Sequence, residues 1–331
     1  MIVIHTGAAD AGAAGESLDR RILKHGDKIP QDALWIDLIS PTREEDDLVE
    51  SHLGVEIPTR EEMADIEPSE ILYRENNALY MTARVLCSSD TETPQLLDVS
   101  FILTDKALVT VRYGEPRSFT MFMTRVVKPG GCRHQPQAVL DGLIETIIDR
   151  AAEILASVGK RIDYVSREIF ETERKRARQT QVFRAALRSI GRKGDVISNV
   201  RESMVSVERM LLFLSAAMPR PQRTHGFQAE WRTALRDVQS IEEHATFLSS
   251  KVQFLLDATL GLVTIEQNDI IKLFSVMSVI FLPPTLIASM YGMNFRLMPE
   301  LQWDLGYPFA ILLMILAAVL PYVIFRWKRW L

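Results

Sequence analysis

The sequence predicts an α/β domain, a long α-helical stalk behind it, and two transmembrane helices at the C-terminal end. Three observations predict this fold class. Strand and helix signals alternate over residues 1–125, whereas from residue 137 onward the strand signal vanishes and the periodicity becomes helical. Two long runs without a charged side chain, 273–295 and 305–325, then close the sequence.

The α/β part is predicted from runs rich in β-branched and aromatic residues, which are typical of strands. These runs are 33–38, 78–85, 99–103 and 107–111. The pair Asp105-Lys106 predicts a turn that joins the last two runs into a hairpin. We therefore expect one α/β domain in the first third of the chain.

Two short helices are expected after the first of these strands, at 43–52 and 59–64, because Thr42 and Thr59 are favourable N-cap residues. Residues 41–70 contain eleven carboxylates and only two arginines. Two interpretations fit this acidic segment. It forms solvated helix faces, or it forms a surface that attracts divalent cations.

A pair of long helices is expected next, at 137–178 and 181–217. Gly191 and Gly194 punctuate the second of them, since glycine weakens a helix interior. A clear break follows at 219–226, where prolines and a glycine cluster. This part of the chain is expected to form a helical hairpin region.

The most regular periodicity of the sequence follows that break. Ten mostly apolar residues recur at steps of three or four along one face: Trp231, Leu235, Val238, Ile241, Ala245, Leu248, Val252, Leu255, Thr259 and Leu262. No proline occurs between Pro221 and Pro283, so one helix of roughly 95 Å is expected from residue 228 to residue 291. Because a small domain offers too little surface to bury this stripe, we expect oligomerisation around a shared axis.

The two uncharged runs predict a helical hairpin in a membrane. Lys272 and Arg296 bracket the first run of 23 residues, and Asp304 and Arg326 bracket the second run of 21. Either run crosses a hydrocarbon core of roughly 30 Å. Basic residues precede the first run and follow the second, which predicts cytoplasmic termini and an outer loop at 296–304. The expected location is the inner or plasma membrane.

The polar part of the chain offers no catalytic constellation. Its six histidines show no metal-ligand spacing, and no glycine-rich phosphate loop occurs. Cys87 and Cys132 are too few for a disulfide framework. The segment 167–193, with nine basic and three acidic side chains, fits a solvated tip or a surface near anionic lipid headgroups. We expect neither an enzyme nor an organic cofactor, and no nucleic-acid partner.

Polar groups distinguish the first uncharged run from a simple lipid anchor. Pro283-Pro284 removes two backbone donors in the middle of the span, and exposed backbone at that depth survives only beside protein or water. Polar side chains recur here near helical spacing: Asn268, Ser275, Ser278, Thr285 and Ser289. A pore lining and helix–helix packing in lipid both fit this stripe.

The motif Tyr291-Gly292-Met293-Asn294, at the end of the first span, resembles the signature of the CorA family of divalent-cation channels. The next segment, 295–303, is similar to the Met-Pro-Glu-Leu loop of the magnesium-transporting members of that family. Other similar segments are 283–285, 328–331, 35–38 and 60–69. The resemblance covers essentially the whole chain.

This resemblance implies a homopentamer in which the long helix lines a central pore. Gly292, Met293 and Asn294 would form the selectivity motif, with five Asn294 amides holding hydrated Mg²⁺ through its water. Glu300 would belong to the outer loop. The expected pore-lining residues, whose large apolar members would act as constrictions, are Asn268, Ile271, Phe274, Ser275, Ser278, Leu282, Thr285 and Ser289.

The resemblance also bears on gating. Ile271 and Phe274 occupy the positions where some relatives have Met and Leu at the inner gate. The resemblance therefore does not fix the width of the gate. Asp257 corresponds to a carboxylate that helps bind regulatory Mg²⁺ between subunits in relatives. Asp90 and Glu92 are the candidate partners, and a plain surface carboxylate is the alternative interpretation of Asp257.

The expected organisation has a cytoplasmic α/β domain, a helical hairpin region, a stalk helix, a pore-lining span, an outer loop, a second span and a basic tail. Their bounds are 1–135, 136–226, 227–272, 273–295, 296–304, 305–325 and 326–331. The expected function is Mg²⁺ influx, with Mg²⁺ both transported and regulatory. A ZntB-like zinc transporter and a membrane-anchored scaffold are the alternatives, and selectivity among Mg²⁺, Co²⁺, Ni²⁺ and Zn²⁺ stays open.

Overall fold

The structure is a computed structural model that describes residues 1–7, 18–24, 26–88, 94–126, 134–171, 179–217, 225–293 and 303–328. The chain divides into two compact units, Met1–Leu256 and Asp257–Leu331. The first unit contains a β-sheet and several helices. The second contains the C-terminal part of the longest helix and the last helix.

The described residues of the first unit contain seven strands. They are β1 Ile2–Gly7, β2 Leu18–Ile22, β3 Ala33–Ile39, β4 Leu72–Glu75, β5 Ala78–Cys87, β6 Gln95–Leu103 and β7 Leu108–Arg112. One sheet contains them all, in the order β2-β1-β3-β7-β6-β5-β4. β3 and β7 run parallel, and the other neighbours are antiparallel. The four predicted strands are confirmed as β3, β5, β6 and β7, and the predicted hairpin joins β6 to β7.

The helices in the described part of the chain are α1 Arg43–Leu53, α2 Arg60–Met63, α3 Pro68–Ile71, α4 Arg117–Val126, α5 Pro136–Glu171, α6 Gln179–Ala217, α7 His225–Tyr291 and α8 Gly306–Trp327. The predicted N-caps Thr42 and Thr59 are confirmed, and each begins a capping box with the glutamate three residues later. The sequence reasoning missed β1, β2, β4, α3 and α4. The predicted break at 219–226 lies largely outside the described residues.

The expected weakness at Gly191 and Gly194 is wrong, because α6 runs through both positions without interruption. Gly194 instead lies where α6 faces α7. A Cβ atom placed on Gly194 would lie 3.7 Å from the Val252 side chain of α7, an ordinary van der Waals contact. The glycine therefore marks a helix–helix contact and not a hinge.

Helices cover both faces of the sheet. On one face, Val49 of α1 and Met63 of α2 belong to the same buried cluster as Ile36, Leu38 and Val109. On the other face, Trp35 contacts the rings of Phe119 and Phe122 in α4, at centroid distances of 6.2 and 5.7 Å. This sandwich of helices around a sheet buries nearly all the large apolar side chains of the strands.

A buried ion pair ties the parallel strands β3 and β7 together. Asp37 and Arg112 are 0% and 2% exposed, and Arg112 Nη2 lies 2.8 Å from Asp37 Oδ2. Thr110 Oγ1 donates a hydrogen bond to Asp37 Oδ1, and Trp35 Nε1 donates one to Thr110 Oγ1. Because each charge is paired and hydrogen-bonded, the pair tolerates burial.

The helix α6 covers the edge of β5 that the short strand β4 leaves open. The backbone N–H of Arg84 donates to Ser206 Oγ at 2.9 Å, and Ser203 Oγ donates to the carbonyl oxygen of Arg84 at 2.7 Å. Arg84 also forms an ion pair with Glu202. Side-chain hydroxyls thus satisfy backbone groups that a neighbouring strand would otherwise bind.

The long stalk helix is confirmed, since α7 is continuous over 67 residues, or roughly 100 Å. The expectation that its stripe needs other subunits for burial is wrong for the first unit. Side chains of the stripe that are buried within the single chain are Trp231, Val238, Ile241, Ala245, Leu248, Val252 and Leu255. The long helices α5 and α6 supply the covering surface, for example where Leu248 lies 3.6 Å from a Cβ built on Gly159.

Candidate ion pathway

Within the described ranges, two helices are long and apolar enough to cross a membrane. They are the region Glu230–Tyr291 within α7 and the helix α8. The core helix of a soluble protein buries its apolar window, but none of the window in α7 and almost none of that in α8 is buried inside the chain. This exposure favours a lipid or subunit environment for both helices.

The predicted pore-lining residues share one face of α7. At 3.6 residues per turn, the eight positions from Asn268 to Ser289 fall within an arc of roughly 120°. All eight are exposed in the single chain. The largest apolar members, Ile271, Phe274 and Leu282, are 62%, 65% and 65% exposed. We call this arc the ion face of α7.

The opposite side of α7 is partly covered. Within the first span, the half-buried residues all lie on that side, and they are Val276, Ile280, Pro283, Pro284, Ile287 and Tyr291. The helix α8 also has one covered face, made mostly of small residues: Gly306, Ala310, Met314, Ala317, Ala318, Pro321 and Phe325. Because both helices belong to one compact unit, we infer that these two faces pack together. The ion face then points away from α8.

The sequence reasoning did not identify this covered face of α8. A usable signal was present, since glycine and alanine recur at Gly306, Ala310 and Ala317 on one side of the helix. Small residues at helical spacing allow close helix packing in lipid. The face matters for function because it fixes which side of α7 remains available.

Two hydroxyl groups of the ion face donate hydrogen bonds to their own helix. Ser278 Oγ donates to the carbonyl oxygen of Phe274 at 2.8 Å, and Thr285 Oγ1 donates to that of Phe281 at 2.7 Å. These bonds occupy the O–H donors and leave the oxygen lone pairs as acceptors. Acceptors without a competing donor suit the water shell of a cation.

The double proline lies inside α7 without ending it, so Pro283 and Pro284 leave the carbonyl oxygens of Val279 and Ile280 without their usual helical donors. Both prolines are half-buried, on the side of α7 away from the ion face. The freed carbonyl groups lie one turn earlier on the same helix. Protein contact at this depth is what an interrupted hydrogen-bond ladder requires in lipid.

The helix α7 ends directly before the predicted selectivity motif. The N–H of Gly292 bonds the carbonyl oxygen of Ala288 at 3.0 Å, and the N–H of Met293 bonds that of Met290 at 3.3 Å. Gly292 is not among the described glycines with positive φ, so its role is not a left-handed turn. A Cβ there would lie only 3.2 Å from the oxygen of Ala288, which explains the glycine by close approach.

Other predicted site residues fall outside the described part of the chain. Asn294 and Glu300 lie beyond the last described residue of the helix end, and Asp90 and Glu92 lie in the undescribed segment between β5 and β6. Asp257 is described, and its side chain is exposed on α7. Among the described residues, no three or more His, Cys, Asp or Glu side chains are grouped closely enough to hold a metal ion.

Comparisons with known proteins agree with this geometry. The sequence model of a family described as "CorA-like Mg2+ transporter protein" matches residues 30–329. The magnesium transport protein CorA of Pasteurella multocida is 37% identical over 300 residues, which cover 90% of this chain and 92% of that protein.

Two solved structures are similar in fold. The CorA magnesium transporter of Methanocaldococcus jannaschii matches 100% of this chain and 99% of its own with a TM-score of 0.72, at 17% identity. The cytoplasmic domain of ZntB from Vibrio parahaemolyticus matches 79% of this chain with a TM-score of 0.51, at 12% identity, and covers 98% of its own chain. At such identities, each likeness concerns the fold alone.

Proposed function

Since the chain belongs to the CorA-like Mg²⁺ transporter family and is a membrane transporter of Mg²⁺, we propose that it works as a homopentameric channel with α7 around the pore. The exposed ion face of α7 is the observation that carries this proposal. The ion face contains both polar and apolar side chains and is not covered by α8, which suits a position around a water-filled axis. Packing five copies of the arc around that axis would remove it from lipid.

The proposed selectivity element is a ring of five Asn294 side chains at the outer mouth. Mg²⁺ dehydrates reluctantly and keeps several waters in octahedral geometry. Neutral amide oxygens hold such a hydrated ion through its waters, whereas a ring of carboxylates would bind it too tightly for release. The end of α7 at Tyr291 supports this location, because the motif then lies directly after the pore helix.

The conduction path below that ring alternates hydroxyl acceptors with apolar narrowings. Ile271, Phe274 and Leu282 would each form a fivefold apolar ring, and such rings close a pore by excluding water. Ser278 and Thr285 present acceptor oxygens to the ion's water shell. The ion therefore stays hydrated throughout, and no enzymatic step or organic cofactor takes part.

The proposed orientation has both termini in the cytoplasm of a cell whose inner or plasma membrane holds the channel. The membrane potential then drives Mg²⁺ inward, by about 4.6 kcal/mol per 100 mV for two elementary charges. The Lys and Arg residues that flank the two spans support this orientation. The outer loop would contain Glu300.

We propose Asp257 as part of a regulatory Mg²⁺ site between subunits. Its exposure on α7 and the lack of a metal-holding group among the described residues of one chain support a site that neighbours complete together. The carboxylates repel one another until an ion neutralises them. Cytoplasmic Mg²⁺ would thus stabilise the closed, symmetric pentamer.

The family match and the identity to named magnesium transporters favour Mg²⁺ over the zinc alternative, because the similarity to ZntB concerns the fold of a cytoplasmic domain. The decisive experiment measures ion entry into liposomes that contain the purified protein. An internal indicator should report potential-driven Mg²⁺ entry and no faster Zn²⁺ entry. Mg²⁺ entry at the rate of protein-free liposomes, or a preference for Zn²⁺, would contradict the proposal.

A further inference from the structure

A cleft of about 410 Å³ opens in the first unit, between the sheet and the short helices α2 and α3. Four carboxylates line it: Glu62, Asp65, Glu70 and Glu75. We call it the acidic cleft. Pro58 and the hydroxyl residues serine, threonine and tyrosine complete the described lining, in which no side chain is basic. The cleft therefore has a strongly negative potential.

Local hydrogen bonds orient two of these carboxylates. Glu62 Oε2 accepts a bond of 2.7 Å from the backbone N–H of Thr59, as part of the capping box of α2. Asp65 Oδ1 accepts one of 2.6 Å from the N–H of Ile66. The negative charges also act on Tyr73 in the lining, whose pKa is raised to about 12 by burial first and then by Tyr80 and the nearby glutamates.

A buried hydroxyl in the wall of the acidic cleft has no partner in the structure. Ser100 is 1% exposed, and its Oγ atom makes no hydrogen bond. Ser100 lies opposite Thr82 in the antiparallel pair of β5 and β6, so both side chains are on the same face of the sheet and line the cleft. An unpaired buried hydroxyl is unfavourable, and a ligand in the cleft that supplies a hydrogen bond removes this cost.

The dimensions of the acidic cleft suit a hydrated ion and not a bare one. The described acidic side chains are not grouped closely enough to hold a metal by direct contact. A divalent ion with six waters occupies roughly 200 Å³ if each water takes about 30 Å³, and this volume fits the cleft. Mg²⁺ is the biological divalent ion that most resists losing its waters.

We propose that the acidic cleft binds a hydrated divalent cation of the Mg²⁺ class within a single subunit, through water bridges to its carboxylates and to Ser100 Oγ. This site is separate from the ion pathway and from Asp257. It also gives a specific form to the sequence interpretation that residues 41–70 attract divalent cations, since Glu62, Asp65 and Glu70 belong to that segment.

The test measures amide hydrogen exchange of the full-length protein in detergent, in an Asp257→Ala background that removes the proposed intersubunit site. Peptides from residues 59–75 should exchange about tenfold more slowly when Mg²⁺ is present at roughly ten times its dissociation constant. A potassium salt of equal ionic strength serves as the control. Equal exchange of these peptides in Mg²⁺ and in the potassium salt would overturn the proposal.

Matched variants locate the effect. The double variant Glu70→Gln and Glu75→Gln should lose the protection, and Ser100→Ala should weaken it without lowering the melting temperature measured in the absence of divalent ions. Glu61→Gln is the control, because Glu61 lies on α2 beside Glu62 but outside the lining. Undiminished protection in the double variant, or equal loss in Glu61→Gln, would contradict the assignment to the acidic cleft.

A second ion distinguishes water-mediated binding from direct coordination. Hexaamminecobalt(III) does not exchange its ammine ligands, so it binds only through that fixed outer shell. It should protect residues 59–75 as Mg²⁺ does. Protection by Mg²⁺ together with none by the cobalt complex would show direct coordination and overturn the water-bridged site.

Discussion

The hydroxyl groups of Ser278 and Thr285 show how single residues make the first span suited to an ion. A hydroxyl group in lipid needs an acceptor for its hydrogen. Ser278 and Thr285 each find one in their own helix, the carbonyl oxygens of Phe274 and Phe281. Their lone pairs remain available on the ion face. A packing role alone would place such groups on the covered side of α7, where the half-buried residues are instead aliphatic residues, prolines and one tyrosine.

The first prediction at this scale concerns Asn294. We expect Asn294→Ala to reduce Mg²⁺ entry into proteoliposomes at least about tenfold, because five acceptors worth about 0.5–1.5 kcal/mol each disappear from the ring. Asn294→Asp should instead bind Mg²⁺ more tightly and pass it more slowly, since five carboxylates add a strong attraction. Wild-type transport by the alanine variant would show that the ring does not select the ion.

The second prediction concerns the apolar constriction at Leu282. Leu282→Ala should raise the Mg²⁺ flux in high internal Mg²⁺ several-fold, because a smaller ring no longer excludes water from the closed pore. Met277→Ala is the matched control, since Met277 is exposed on the same span but lies outside the ion face. The same flux change in both variants would contradict a specific constriction at Leu282.

At the scale of helices and strands, the sequence pattern predicted most inner strands of the sheet and neither of its edge strands. Strands β3, β5, β6 and β7 are inner strands that are rich in buried apolar residues, and this composition gave the strand signal. β1 is an inner strand too, and the sequence reasoning missed it. β2 and β4 are the two edge strands, short and mostly polar, and carry no such signal. Edge strands form because a neighbouring strand offers backbone hydrogen-bonding partners. No local sequence pattern reveals that neighbour.

The stripe of α7 shows a second limit of the sequence. Periodicity at three and four residues identified its buried face, including Val238 and Leu255, but gave no information about the partner. The partner proved to be the helices of the same chain. For the candidate site, spacing predicted the polar members of the ion face, and the family resemblance added Ile271, Phe274 and Leu282. The acidic cleft, in contrast, required Ser100 to be brought next to α2 and α3 by the fold.

The third prediction concerns the contact between α5 and the base of α7. Trp231 Nε1 donates a bond of 2.8 Å to Asp141 Oδ1, and burial raises the pKa of Asp141 to about 7. Because the folded pKa lies above the unfolded value of 3.8, the folded state binds the extra proton, and its stability falls as the pH rises from about 4 to 8.

We expect the melting temperature of the wild type to fall across that range by roughly 10 °C. The pKa of Asp141 rises by about three units, which corresponds to about 4 kcal/mol, and about 1 kcal/mol moves the melting temperature by roughly 2–4 °C. Asp141→Asn keeps the acceptor for Trp231 and should flatten this pH dependence. An unchanged slope in the variant would show that other groups cause it. The measurement is thermal unfolding in detergent at a series of pH values.

At the scale of the whole molecule, the two units differ in how well a single chain buries its apolar side chains. The sheet and the helices around it bury their apolar side chains within one subunit. The described residues of the second unit expose almost every large apolar side chain, including those of the ion face. The first unit therefore has a core of its own, and the exposed apolar side chains of the second unit fit the proposed environment of lipid and neighbouring subunits.

The last prediction tests the proposed regulation by Mg²⁺, which requires the proposed pentamer. If the ion bridges carboxylates of neighbouring subunits through Asp257, it must bind the closed pentamer more tightly than the open one, by the full coupling energy. Millimolar Mg²⁺ should then slow limited proteolysis of α7. Asp257→Ala should shift the Mg²⁺ concentration needed for half protection upward at least about fivefold, which is the lower end of ordinary coupling.

Asp269→Ala is the control, because Asp269 is an exposed carboxylate on the same helix but outside the ion face. Identical digestion of the wild type and Asp257→Ala at every Mg²⁺ concentration would show that Asp257 is an ordinary surface residue.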